Sequence, residues 1–180
     1  MSRTGFKLSA IALLMFVCVS LQADFKPNTN DKMELAVAGA IIDLKDADSD
    51  IQRFFDESVA YAVFPKVGKG GIGIGGAHGK GLVIAGDKVV GTTELSQVTI
   101  GLQLGGQVYA EFIFFKDDAA LGNFQRGNYE LGAQASAVAV TAGASADADY
   151  DGGVAIFTHA GGGLMVEATV GGQKFKYADR

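Results

Sequence analysis

The 180-residue sequence has a single cysteine, two prolines, two histidines and no tryptophan. With Cys18 alone, an intrachain disulfide and a multi-cysteine zinc site are both excluded. Only His78 and His159 can supply imidazole, and no H-E-x-x-H occurs. Charge is sparse and acidic: 15 basic residues stand against 20 acidic ones, a formal net charge of −5. Such a balance has no general attraction for nucleic acid. An anionic partner would have to meet a local group of basic side chains.

The first residues carry Arg3 and Lys7, then an apolar run from Leu8 to Leu21, then Ala23 before Asp24. This is the layout of a secretory signal peptide. The run is shorter than the ~20 residues of a membrane-spanning helix. Met15, Phe16 and Val17 before Cys18 are too bulky for a lipoprotein signal. Residues 1–23 are therefore expected to be an export signal. Their removal takes two basic residues and the thiol, leaving a net charge of 13 − 20 = −7. The rest reads as a flexible lead-in over 24–32 and one domain over 33–177.

What the chain has in excess is glycine, 26 of 180, twice the usual ~7%. The glycines alternate with apolar residues, so they do not read as disorder. Asp31 with Glu34, and Ser49 with Gln52, fit helix-capping pairs. Met33, Val37, Ile41 and Leu44, then Ile51, Phe54, Phe55 and Val59, follow at helical spacing. Two short helices or one broken helix are expected over 31–62.

Strand signals come after Pro65. A hairpin is expected with its turn at His78–Gly81, and another turn at Asp87-Lys88. Val98, Ile100, Leu102, Leu104, Val108, Ala110, Phe112 and Phe114 occupy even positions; Thr99, Gln103, Gln107 and Glu111 occupy odd ones. This period of two predicts strand with the even face buried. Gly105-Gly106 predicts a bend or bulge, and one long strand or two short ones fit equally. Asp117–Phe124 reads as a short helix and Tyr129–Val140 as a strand with an alanine face. Val154–Thr158 and Leu164–Val170 read as a last hairpin, with a short strand around Phe175 and Tyr177. The fold class is α+β: N-terminal helices, then a strongly curved, mostly antiparallel, glycine-rich sheet or partial barrel.

Motifs for chemistry are few. Gly68, Gly70 and Gly73, and also Gly71, Gly73 and Gly76, satisfy G-x-G-x-x-G, but a hairpin follows where a nucleotide site needs a helix. Asp147, Asp149, Asp151 and Gly152 open like a calcium loop; Thr158 stands where the bidentate Glu belongs. The three aspartates are a weak calcium candidate, and a solvated acidic loop is the plainer reading. Glu111, Glu130 and Glu167 fall on strands, and nothing in the sequence pairs them for acid–base work. No catalytic residues and no cofactor are expected. The basic residues are more informative. Lys66, Lys69, Lys80 and Lys88 lie between Ala62 and Thr92 against Asp87 alone. Lys174, Lys176 and Arg180 interleave with Phe175 and Tyr177 near the end.

The block Ala60-Tyr61-Ala62-Val63-Phe64-Pro65-Lys66-Val67-Gly68-Lys69-Gly70-Gly71-Ile72-Gly73-Ile74-Gly75-Gly76, with Gly79-Lys80-Gly81, resembles the signature of the SYLF family. The family is also called the Ysc84 or Las17-binding-protein actin regulator domain. Gly101–Gln107, Glu111–Phe115, Ala119–Leu121 with Phe124, Leu131–Ala133 and Gly162–Leu164 follow in a similar order. Residues 142–151 are shorter and more acidic than the family's usual loop. The resemblance implies a non-enzymatic domain that binds phosphoinositide or another anionic phospholipid, with Lys66, Lys69, Lys80 and Lys88 as candidate contacts. With an export signal it implies a bacterial protein of the periplasm or outer-membrane periphery. Actin, which some members bind, would not be met there, and nucleic acid is not expected. Two other readings stay open: a soluble envelope protein holding an apolar ligand or protein partner, and a small outer-membrane β-barrel.

Overall fold

The computed structural model describes residues 24–127, 129–131, 138–170 and 172–180, with side chains described outside 101–103, 128–138 and 161–171. The expected export signal and most of the alanine face of 129–140 lie outside these residues.

Asp31 starts the first helix, α1 (Lys32–Ala47), by accepting from the N–H groups of Met33 at 2.8 Å and Glu34 at 3.1 Å. Glu34 does not close a reciprocal capping box: its carboxylate reaches back to the Asn28 N–H at 2.7 Å. Val37, Ile41 and Leu44 face the core. Asp48, not Ser49, caps the next turn, accepting from the Asp50 N–H at 3.1 Å. A 3-10 turn (Ser49–Ile51) leads into the short α2 (Gln52–Glu57). The helical region thus stops five residues before the expected limit at 62. From Ala60 to Phe64 both parities are buried, as in a strand covered on both faces.

That strand is β1 (Ala60–Ala85), paired antiparallel with β2 (Lys88–Phe115) across a turn where Gly86 has φ +61°. The turn expected at His78–Gly81 is instead strand interior. The glycines there serve a different purpose. A Cβ on Gly79 would lie 2.8 Å from Val67 Cγ2, and one on Gly81 would lie 2.4 Å from the Val63 carbonyl oxygen. Residues 77–85 therefore fold back across residues 60–67 of the same strand. The bend lies between Gly71 and Gly75, where a Cβ on Gly71 would meet Gly75 Cα at 2.4 Å. β2 bends with it: the register steps from Ile72↔Leu104 to Ile74↔Ile100, and Gly105 takes φ +116°.

α3 (Asp118–Gln125), capped by Asp117, follows β2, so the helices do not all precede the sheet. Then come β3 (Tyr129–Leu131), β4 (Val138–Ala139), β5 (Val154–Val170) and β6 (Gln173–Asp179). The last expected hairpin is one strand, β5. β2 is the spine: β1 lines one edge, while β5 and β6 share the other, against residues 100–115 and 91–97. β3 flanks β6, and β4 runs parallel to β5. Among the described residues β1 pairs only with β2, and the sheet does not close into a barrel. The class is α+β.

Two cores result. Under the helices, Phe54 and Phe55 meet Phe114, Phe157 and Tyr61, with ring centroids 4.7–5.9 Å apart. Inside the curl, Phe124 of α3 packs on Phe115 and Phe175, and Phe175 on Phe64. Burying each such ring stabilises the fold by about 1.5–3 kcal/mol. Arg180 closes the chain on its start, with its guanidinium 2.5 Å from Asp31 and 3.2 Å from Glu34.

Candidate functional site

The alternation along β2 divides at the bend. Ala110, Phe112 and Phe114 lie under α1 and α2. Beyond that cover the same parity emerges: Leu104 is 62% exposed, Ile100 65% and Val98 67%. β1 adds Ile72 at 80% and Ile74 at 68%, which pair with Leu104 and Ile100. Five large aliphatic side chains thus crowd the outside of the bend. The expectation that the even face is buried along its whole length is wrong here. Curling makes the odd face the inside, so Leu95, Thr99 and Glu111 are buried.

The same region is charge-segregated. From Ala60 to Gly86 every charged residue is a lysine, and from Leu95 to Ala110 there is no charged residue. In neighbouring β5, Glu167 is paired by register with Gln103. The four candidate lysines do not form one cluster. Lys66 and Lys80 are both exposed; the fold-back sets the backbone at Gly79 against that at Lys66, where a Cβ on Gly79 would lie 3.1 Å from the Lys66 carbonyl oxygen. Lys80 has Glu94 as a cross-strand partner at 3.3 Å, both well exposed. Lys69 is half-buried, and its charge is felt by Glu111. Lys88 sits apart, beside the turn at Gly86-Asp87.

Glu111 is fully buried. One carboxylate oxygen accepts from the Gln173 side-chain amide at 2.9 Å; the other has no partner among the described residues. Burial pushes its pKa up to about 7, against smaller opposing pulls from Gln173 and Lys69. Side chains of Glu130 and Glu167 lie outside the described residues, so no carboxylate pair is built here.

Among the described residues no three His, Cys, Asp or Glu side chains gather where a metal ion could be held. Asp147, Asp149 and Asp151 are exposed. Their loop is instead fastened to the helices. Asp48 accepts from the Ser145 N–H and hydroxyl, both at 2.8 Å, and Arg53 donates to the carbonyls of Ser145 and Ala148. Both glycine motifs lie within β1 with no helix after them, so the phosphate-binding geometry of a dinucleotide fold is missing. His78 is exposed and His159 half-buried.

One feature has no sequence signal. The lead-in at Asp24–Pro27 packs beside α1 around a cavity of about 340 Å³, lined by Phe25, Ile41, Ile42, Phe55 and Tyr61. Lys45 stands at this cavity, 3.4 Å from Asp24 and over the Phe55 ring.

Residues 96–179 match the family model described as Ysc84, Las17-binding protein actin regulator. This stretch is similar to the Ysc84 (SYLF) family. The match holds the outer strand of the bend, α3 and the C-terminal strands; the glycine block at 60–76 precedes it. Beta cell expansion factor A of Aeromonas veronii is 28% identical over 138 residues, covering 76% of this chain and 52% of that protein. The chain spans about half the length of that relative. The arrangement is an apolar outcrop at a bend, bordered by lysines.

Proposed function

We propose that this chain is a non-enzymatic lipid-binding domain acting at an anionic membrane surface of the bacterial cell envelope. The carrying observation is the charge segregation: in an acidic protein, the glycine-bent strand from Ala60 to Gly86 has only lysines as charged residues. The match of residues 96–179 to the Ysc84 family model supports a lipid-binding or actin-regulator-like role. Read as an export signal, residues 1–23 favour lipid, because an exported chain meets membrane and not actin. Each lysine near an anionic surface contributes about 1 kcal/mol, and the contribution fades within a Debye length. Lys66 and Lys80 are the best placed, Lys69 is turned inward, and Lys88 is remote.

Sedimentation with vesicles of phosphatidylglycerol, cardiolipin or a phosphoinositide in phosphatidylcholine, at low salt, tests the reading. Binding that rises with the anionic fraction is expected. No binding to any of the three sinks it.

The cavity beside α1 favours a second reading, in which the domain holds a single apolar ligand. Lipid retained through native mass spectrometry, and lost on Ile41→Asp, would support it. An outer-membrane barrel is disfavoured by the open sheet and by helices packed on one of its faces.

A further inference from the structure

We infer that the bend of the β1–β2 hairpin is the element that enters the bilayer, with Ile72, Ile74, Val98, Ile100 and Leu104 reaching the acyl boundary. This inference rests on the lipid-binding reading and names the surface responsible for it.

Three observations carry it. The first is shape. Gly71, Gly73 and Gly75 let β1 reverse within a few residues, so the apolar side chains lead and the rest of the sheet follows. Ile72 at 80% exposure is the most exposed large hydrophobic residue among those described. Monomeric proteins rarely leave so contiguous an apolar patch in water unless it meets something.

The second is backbone satisfaction. Hydrocarbon tolerates only peptide groups that are already hydrogen-bonded. At Ile100 and from Leu104 to Val108, β2 is paired with β1 on one side and β5 on the other, and residues 101–103 pair with β5. Ile100 and Leu104 thus stand on a strand bonded on both sides, while Ile72 and Ile74 stand on β1, bonded to β2.

The third is charge. No charged residue lies on β2 from Leu95 to Ala110, so no charge on that strand need be dehydrated. Lys66 and Lys80, both exposed on the two arms of β1 behind the bend, suit anionic headgroups. A second copy of the chain would bring the same lysines against themselves, so the charge pattern favours a lipid surface over self-association.

The experiment uses the full chain carrying Cys18→Ser, with one new cysteine labelled by an environment-sensitive fluorophore. Ile72→Cys reports the bend; Asn123→Cys, exposed on α3, is the control. With phosphatidylglycerol–phosphatidylcholine vesicles, the label at 72 should shift to the blue and be quenched by brominated acyl chains, and the label at 123 should do neither. In the unlabelled chain, Ile72→Asn with Ile74→Asn should lower vesicle partitioning at least tenfold at high salt. Both positions are solvent-facing, so melting of the variant should match the parent.

A label at 72 that stays in water while the protein sediments with vesicles overturns this inference alone. Equal partitioning of the double variant does so too. A concentration-dependent dimer abolished by the double variant, with vesicle binding unchanged, assigns the face to a second copy and also overturns it. Failure of the parent to sediment at all overturns the broader reading as well.

Discussion

Gln173 donates its side-chain amide to the buried carboxylate of Glu111 at 2.9 Å, tying the last strand to the middle of the sheet. Glu111 is raised from an ordinary 4.5 to about 7 because burial penalises its charged form. The folded state therefore holds the proton more tightly than the unfolded chain, and stability falls as pH rises from about 4.5 through about 7. Glu111→Gln removes that ionisation and keeps a partner for Gln173. It should stabilise the protein at pH 8 by up to about 3 kcal/mol and change little at pH 5. Denaturant midpoints of both chains at the two pH values check this.

Asp48 runs the other way. Burial pushes its pKa up, but the bonds from Ser145 and Asp50 outweigh burial, and the net shift is downward. Its contribution is fully present above the ordinary 3.8 and is lost as pH falls through the lowered value. Asp48→Ala should cost about 3 kcal/mol at neutral pH, because it unties the loop and leaves Ser145 buried without its acceptor. Thermal melting from pH 7 to pH 3 should show the gap between parent and variant closing in acid.

Two glycines should respond oppositely to alanine. At Gly81 the new Cβ would sit 2.4 Å from the Val63 carbonyl oxygen and 2.9 Å from Cδ1 of the buried Phe64 ring, so backbone would have to shift. Gly81→Ala should destabilise by about 1–3 kcal/mol. Gly39 on α1 has open space around it, and Gly39→Ala should stabilise by about 0.5–1 kcal/mol. Urea titration of the pair measures both.

Lysine substitutions should rank by position. Lys66→Gln with Lys80→Gln should weaken low-salt binding to anionic vesicles and flatten its salt dependence. Lys88→Gln, beside the distant turn, should change neither by more than a small fraction. Vesicle sedimentation across a salt series separates the two. An equal effect from Lys88 would mean that the surface potential of the whole chain drives adsorption.

Much of the local structure was legible because it rests on short-range chemistry. Asp31 and Asp117 cap helices as their side chains suggest, and the even-position stripe of β2 does mark a strand. Register and reach were less legible. Gly79 and Gly81 look like turn residues in sequence, yet they exist because Val63 and Val67 pass directly across them. No local pattern encodes a contact between residues twelve to eighteen positions apart in one strand. The inversion at Thr99 and Glu111 has the same origin. Alternation says that two faces differ, and only the curl decides which is inside. The split of the lysines followed as well: Lys69 turns toward Glu111, while Lys66 meets the neighbourhood of Lys80.

The spine strand also sets the order in which the molecule can assemble. Residues 91–97 wait for residues 173–179, and Asp31 waits for Arg180. Pairings that distant in sequence form slowly. Until the C-terminal strand arrives, one edge of β2 lies bare and Leu95 has no Phe175 beside it in the register. The central sheet is therefore the last part of the fold to be completed, because its spine waits on a partner more than seventy residues away.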